Sequence, residues 1–301
     1  MPNQNLRNFS LILFLAALWG PSFLFIKIAI TSIPPITLTA IRVGIGATVL
    51  FIILKLRGAK LPKIIPNWKN FSIAALLQSA IPFTLFGIGE QSIDSSLAAI
   101  ICGAAPLFTL VIAHFFTHDD RFTKIKIIGS TIGFCGLFIL VAPSLTAGKS
   151  TAFGVFAVVI AALCYAIAFV YVKKTINFKN FAPLTIPMLQ LLFSFVFLLP
   201  VALIFEDVLV IKDASISAIA ATLALSFLGT SLAFVVYYKI IAATSATYAS
   251  MVNYIVPIFG AILGMIVLDE QLTWNSYLGC ALIIFGVMIA NKLLVLKLPT
   301  R

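Results

Sequence analysis

Three ionisable side chains, Lys27, Arg42 and Glu90, stand inside or at the ends of long apolar runs. A charge at the centre of a bilayer costs at least about 2.5–3.5 kcal/mol, so buried ionisable groups usually serve a purpose. Lys27 lies about a turn from the end of its run, where it has two readings: a stem that snorkels to the headgroups, or an ammonium facing a cavity. Arg42 lies about 12 Å into the second run at 1.5 Å per residue, too deep for easy snorkelling. Structural pairing is favoured there over solute contact. Glu90 closes the third run beside Gln91 and reads either as an interfacial helix end or as a gate or cation-sensing group facing Lys27 or Arg42. No Asp or Glu stands mid-run, so a midplane carboxylate relay is missing. Proton coupling would need Glu90 or His114, and facilitated diffusion or exchange is the expectation.

Neutral polar residues are the better candidates for a solute path: Trp19, Ser22, Gln78, Tyr165, Gln190, Thr230, Ser231, Asn253 and Tyr254, all within apolar runs. Amides and hydroxyls bond a polar solute without a permanent charge. The competing reading is bonding between helices. Pro82, Pro106 and Pro257 remove helix hydrogen bonds mid-run and bend the chain. Pro106 and Pro257 are read as hinges, with static kinks as the alternative. His114 and Asp119 have the H-x4-D spacing of some acyltransferases, beside His118 and Asp120. An acid at a helix start, repeated at Glu270, explains the aspartates better, so no catalytic residue is expected. Cys102, Cys135, Cys164 and Cys280 sit singly in apolar runs and read as small packing residues. No metal ligands and no cofactor are expected.

The elements that position these residues follow from composition. The 301 residues are 62% hydrophobic and 10% charged, with a mean hydropathy of +1.16. Soluble domains carry about 25% charged residues, so a cytosolic enzyme, a disordered chain and a secreted disulfide scaffold are excluded. One span needs about 20 apolar residues. Ten runs qualify: Phe9–Ile30, Pro34–Leu54, Phe71–Glu90, Ser95–Thr117, Lys124–Val141, Thr151–Val172, Pro183–Phe205, Ala214–Tyr237, Ala246–Leu268 and Thr273–Leu293. The apolarity is continuous rather than alternating, which excludes a porin-like barrel.

The net charge of +11 reads as juxtamembrane anchoring, with no nucleic-acid partner expected. With the N-terminus inside, the cytoplasmic segments hold sixteen of the twenty basic residues. Only Lys149 and Lys212 fall in outer loops, whereas Asp94, Glu206, Asp207, Asp213, Asp269 and Glu270 face outward. Both termini are therefore expected in the cytoplasm of a multi-pass inner (plasma) membrane protein.

The second half echoes the first. Ser95-Ser-Leu-Ala-Ala before Pro106-Leu-Phe aligns with Ala246-Thr-Tyr-Ala-Ser before Pro257-Ile-Phe. Asp120-Arg-Phe-Thr then matches Glu270-Gln-Leu-Thr, and Gly129 and Gly136 match Gly279 and Gly286. Five spans per unit, an odd number, invert the second copy. The expected fold is an all-α integral membrane bundle of ten transmembrane helices in two inverted five-helix repeats, residues 1–145 and 146–301. Such repeats characterise carriers with a site between the halves. Trp19 and Tyr165, one residue out of step in the alignment, would offer an aromatic from each half.

These motifs carry a resemblance. Ala17-Leu-Trp-Gly-x-Ser-Phe, Arg42, Gly89-Glu-Gln-x-x-x-Ser-Ser-Leu-Ala-Ala and Ala105-Pro-Leu-Phe resemble the first half of the EamA family of the drug/metabolite transporter superfamily. Tyr237-Tyr-Lys, Ala246, Tyr254-Ile-Val-Pro-Ile-Phe, Gly264, Leu268-Asp-Glu-Gln-Leu-Thr, Leu278-Gly and Gly286 look like its second half. The resemblance covers almost the whole chain. It implies a secondary carrier of small metabolites, often amino acids or their relatives, frequently outward. A broad drug-efflux carrier is the alternative, and a membrane-embedded transferase using His114 and Asp119 a more distant one. The partners expected are a small-molecule substrate and the lipid bilayer, and a homodimer is compatible with the sequence.

Overall fold

A computed structural model describes residues 2–58, 68–116, 123–177, 181–182 and 184–290. Their regular structure is helical throughout. Among the described residues nine helices are long and apolar enough to cross a membrane, and the last, Trp274–Ala290, is apolar but shorter. This is an all-α membrane architecture, the arrangement lipid permits because a helix satisfies its own backbone.

In chain order the helices are α1 (Pro2–Ala29), α2 (Pro35–Leu56), α3 (Trp68–Glu90), α4 (Ser95–Phe116) and α5 (Lys124–Thr146). They continue as α6 (Lys149–Thr175), α7 (Thr185–Phe205), α8 (Ile216–Ala243), α9 (Ala246–Val267) and α10 (Trp274–Ala290). Asp94, Glu206 and Glu270 gather at one end of the bundle, the acidic end; Lys55, Arg57, Lys173 and Lys239 mark the basic end. Asp119, Asp120 and His118, with Lys60, Lys63, Arg121, Lys179, Lys292, Lys297 and Arg301, lie outside the described residues.

Four helices are interrupted, each for a local reason. In α3 the turn Leu76–Ala80 is π-helical, next to Pro82, whose missing N–H breaks the ladder. In α8 the turn Phe227–Leu232 is also π-helical and contains Gly229, Thr230 and Ser231. Helix α4 breaks at Gly103–Ala104, and its second piece, Ala105–Phe116, carries Pro106 in its first turn, where no N–H is needed. Helix α9 breaks at Met251, six residues before Pro257, which stays inside its second piece. The discontinuities thus precede the two prolines rather than coincide with them. Gly103 lets α9 approach: a Cβ there would lie 2.6 Å from Pro257 Cγ and 3.3 Å from the Asn253 carbonyl.

The helix pairs are regular. Helix α2 lies on α7 and α5 on α10; α1 packs on α9 as α6 does on α4; α3 packs on α6 as α8 does on α1. The α5–α10 pair is built on glycines. Gly129 lies against Gly286, and a Cβ on Gly136 would lie 2.8 Å from the Gly279 carbonyl and 2.7 Å from Leu282 Cβ. Without a hydrophobic drive between helices in lipid, this close fit supplies the association. Gly136→Val should overpack the seam and cost about 1–3 kcal/mol. The expected result is a lower thermal midpoint of the purified protein, with Ser130→Ala, a smaller side chain on the same helix, as a control that leaves it nearly unchanged.

Candidate functional site

At the centre, α1, α2, α3, α4, α6 and α9 enclose a cavity lined by Trp19, Ser22, Arg42, Phe86, Tyr165 and Asn253, with Cys102 at its wall. Its volume is about 20 Å³, room for about one water molecule. The rings come from several helices. Trp19 and Tyr165 lie nearly parallel, 10° apart with centroids 6.4 Å apart, and Tyr237 tilts over Trp19 at 5.9 Å. Phe83 and Phe86 meet Tyr165 from α3.

Arg42 is 3% exposed and committed to α8 and α3. Its Nε donates to Thr230 Oγ1 at 2.6 Å, its Nη2 donates to the Gly229 carbonyl at 3.2 Å, and its guanidinium lies 3.7 Å from the Phe83 ring centre. The π turn matters here, because it alters the carbonyl ladder around Gly229. Glycine is needed: a Cβ at 229 would stand 2.6 Å from Ser22 Oγ and 3.6 Å from Arg42 Nη2. Among the described residues Arg42 has no carboxylate within ion-pair distance, so its charge remains available to the cavity. Trp19 Nε1 and Asn253 Nδ2 are buried donors with no acceptor among the described residues. The cavity therefore presents a cation and free donors between aromatic walls.

The structure gathers Trp19, Ser22, Arg42, Tyr165 and Asn253 around this cavity, and distributes the other candidates elsewhere. Thr230 and Ser231 belong to the α8 turn, Thr230 holding Arg42 while Ser231 bonds the Ser226 carbonyl at 2.7 Å. Gln190 belongs to a second polar cluster, donating to Ser79 Oγ at 3.3 Å and accepting from Tyr238, while Ser79 and Ser194 bond at 2.7 Å. Gln78 accepts from the Tyr237 hydroxyl at 3.5 Å. Tyr254 is half-buried and does not line the cavity.

Toward the basic end a vestibule of about 620 Å³ is lined by Arg7, Asn8, Phe181, Ile186, Tyr238 and Lys239. Tyr237 and Tyr238, with ring centres 5.0 Å apart, stand between vestibule and cavity. Sequence reading singled out neither tyrosine as a site residue; their doublet in Tyr237-Tyr-Lys was the available signal.

The acidic end is closed by polar ties between helices. Glu270 accepts from the Ser95 and Ser96 N–H groups and the Ser95 hydroxyl, each at 2.8 Å, at the start of α4. Glu206 accepts from the N–H groups of Ile36 at 3.0 Å and Thr37 at 2.7 Å, at the start of α2. Both are carboxylates at positive helix ends. Asp269, in the left-handed region at φ 53°, turns the chain so that Glu270 points back. Burial opposes ionisation of Glu270, but the hydrogen bonds from Ser96 and Ser95 outweigh it and hold its carboxyl below the usual range.

Lys27 does not line the cavity: its Nζ donates to the carbonyls of Glu90 at 2.6 Å and Ile93 at 2.7 Å, at the α3 C-terminus. Lys173 does likewise at the other end, donating to the Ile241 carbonyl near the end of α8 at 2.9 Å. Glu90 is the last residue of α3 and is 0% exposed. His114 lies half-buried against Phe115 near the end of α4.

Known proteins resemble this chain along almost its whole length. The sequence pattern of the EamA-like transporter family matches residues 8–142 and again 152–292. The chain is 30% identical over 279 residues to the uncharacterized transporter YoaV of Bacillus subtilis, covering 92% of this chain and 94% of that one. It is 26% identical over 295 residues to the uncharacterized inner membrane transporter YedA of Escherichia coli, covering 96% and 92%. With Protein PagO of Salmonella typhimurium it shares 28% over 285 residues. A solved crystal structure of a protein 18% identical superposes with a TM-score of 0.68 over 95% of this chain and 97% of that one, which shows a shared fold.

Proposed function

The chain belongs to the EamA-like transporter family, and from that premise we propose that this membrane transporter is a secondary carrier exporting small carboxylate-bearing metabolites, amino acids or related compounds, by alternating access. The observation that carries this reading is the donor set of the central cavity: the Arg42 guanidinium with Trp19 Nε1 and Asn253 Nδ2. A guanidinium and convergent N–H donors match a carboxylate, and aromatic walls accept an apolar side chain.

The moving units are the two halves, 1–145 and 146–301. In support, the helix pairings recur when each helix number is advanced by five, and the π turns of α3 and α8 stand 151 positions apart, as do Glu90 and Ile241. The acidic end faces outward and the basic end the cytoplasm, by the distribution of lysines and arginines. The cavity then lies between a latched outer face and a vestibule open to the cytoplasm, the order of events an exporter needs.

Aromatic walls also favour the drug-efflux reading, and Arg42 separates the two, because a fixed cation repels lipophilic cations and attracts carboxylates. Purified protein should be thermally stabilised by amino acids in a solute panel and not by lipophilic cations. Asn253→Ala removes one neutral donor, which contributes about 0.5–1.5 kcal/mol, and should weaken apparent affinity by about 2- to 13-fold. Stabilisation by lipophilic cations alone would replace this reading with drug efflux, and an unchanged affinity in Asn253→Ala would move the site elsewhere.

A further inference from the structure

We propose that Glu90 is the proton-binding group of this carrier, exchanging its proton for the ammonium of a zwitterionic solute whose carboxylate is held at Arg42. The inference rests on the carboxylate-solute reading above. Glu90 is fully buried, and among the described residues neither of its carboxyl oxygens has a hydrogen-bond donor. An unpaired carboxylate away from water is the costliest state of this side chain, and one proton removes its charge without moving a helix.

Neighbouring cations do not satisfy it. Lys27 on α1 spends its ammonium on the backbone carbonyls of Glu90 and Ile93, and Arg42 on α2 is held by Thr230, Gly229 and Phe83. The charged groups that face Glu90 from its neighbours are Glu270, on the turn above, and Lys27 and Arg42. Asp94 at the start of α4 interacts with Glu270 and Lys27, and Tyr165 on α6 with Arg42. With Glu90 neutral, Lys27 keeps its carbonyl partners, and Arg42 remains as the cation offered to a solute.

Phe86, one turn before Glu90 on the same face of α3, lines the cavity, as does Ile26, next to Lys27. One turn is about 6 Å, so a modest widening of the cavity brings Glu90 to its upper wall. The exchange then balances. The solute carboxylate meets Arg42, its ammonium meets the Glu90 oxygens, and the proton from the broken Glu90 O–H bond passes to water. On the opposite side the solute leaves and a proton from water restores the O–H bond.

Infrared spectroscopy of purified protein tests the first step without a solute. The chain has three glutamates, Glu90, Glu206 and Glu270, so carbon-13 glutamate labelling isolates their bands. A protonated-carboxyl band should persist at about pH 7, far above an ordinary glutamate range, shift on labelling and vanish in Glu90→Gln. Its absence from the wild type, or its survival in Glu90→Gln, overturns the proposal whether or not that variant folds as well as the parent.

The second step uses alanine, leucine, glutamine and phenylalanine added to weakly buffered protein. About one proton per bound amino acid should be released by wild type, and none by Glu90→Gln. Thermal stabilisation without proton release overturns the exchange while leaving the solute reading intact. No stabilisation by any amino acid ends the solute reading and the exchange with it, and the infrared band alone then decides whether Glu90 holds a proton.

Discussion

Arg42→Ala is expected to abolish measurable solute binding at concentrations that saturate the wild type. A bidentate carboxylate contact comprises two charge-assisted hydrogen bonds of about 1.5–3 kcal/mol each, so even the lower bound predicts a loss of at least about 100-fold. Arg42→Lys keeps a charge but not the planar fork and should fall between. The same guanidinium ties α2 to α8 through Thr230 and Gly229, so the affinity loss needs a structural control. Thr230→Val supplies it by removing the Nε partner and leaving the charge. If the thermal midpoint falls in Arg42→Ala while solute affinity holds, Arg42 is a helix tie and not a solute ligand, which is the pairing role its depth alone suggests.

What could be read from the chain and what could not divides along physical lines. Lipid imposes apolarity on every spanning residue, so the spans were legible: α2 was expected at Pro34–Leu54 and is Pro35–Leu56, and α7 differs only at its start. Cap residues beyond the hydrocarbon obey no such rule, and the start of α1 and the end of α8 extend past the apolar runs. The π turns were invisible because a shifted hydrogen-bond ladder changes no side chain; Pro82 announced a disturbance in α3, and nothing announced the one at Gly229.

The candidate site was legible by type and not by address. Trp19, Ser22, Tyr165 and Asn253 share a cavity, but Gln190, with the same polarity and depth, faces Ser79 and Tyr238 instead. Which face a residue presents depends on partners 100 positions away. Lys27 illustrates the limit: its distance from the helix end suggested a headgroup or a cavity, and its partners are carbonyls of a neighbouring helix.

Those long-range partners make the acidic end the place where a single change should have its second large effect. Glu270→Ala is expected to open that end. The carboxylate accepts three hydrogen bonds from Ser95 and Ser96 across the two halves, and Gly264 leaves room for it, since a Cβ there would meet Glu270 Oε2 and stand 2.9 Å from Ser95 Oγ. Because the group is only about half-buried, the bonds are discounted to about 1.5–3 kcal/mol in total, a shift of about 10- to 150-fold toward the open form. Cys102, at the cavity wall, reports it: with Cys135, Cys164 and Cys280 replaced by serine, an impermeant maleimide added from outside should label Cys102 faster in Glu270→Ala than in the parent. The pH dependence follows from the depressed carboxyl. A group whose folded value lies below its ordinary 4.5 contributes fully above that value and loses its contribution as pH falls through the lower one. The labelling rate of the parent, taken as a fraction of that of Glu270→Ala at the same pH, should therefore rise only in acid below the ordinary glutamate range. Asp94 works against this trend, because burial and the nearby Glu270 raise its carboxyl, with Lys27 opposing, so its protonation relieves the same end. The difference between parent and variant, rather than either profile alone, isolates the latch. Equal labelling rates at neutral pH would show that the carboxylate decorates a face closed by other contacts.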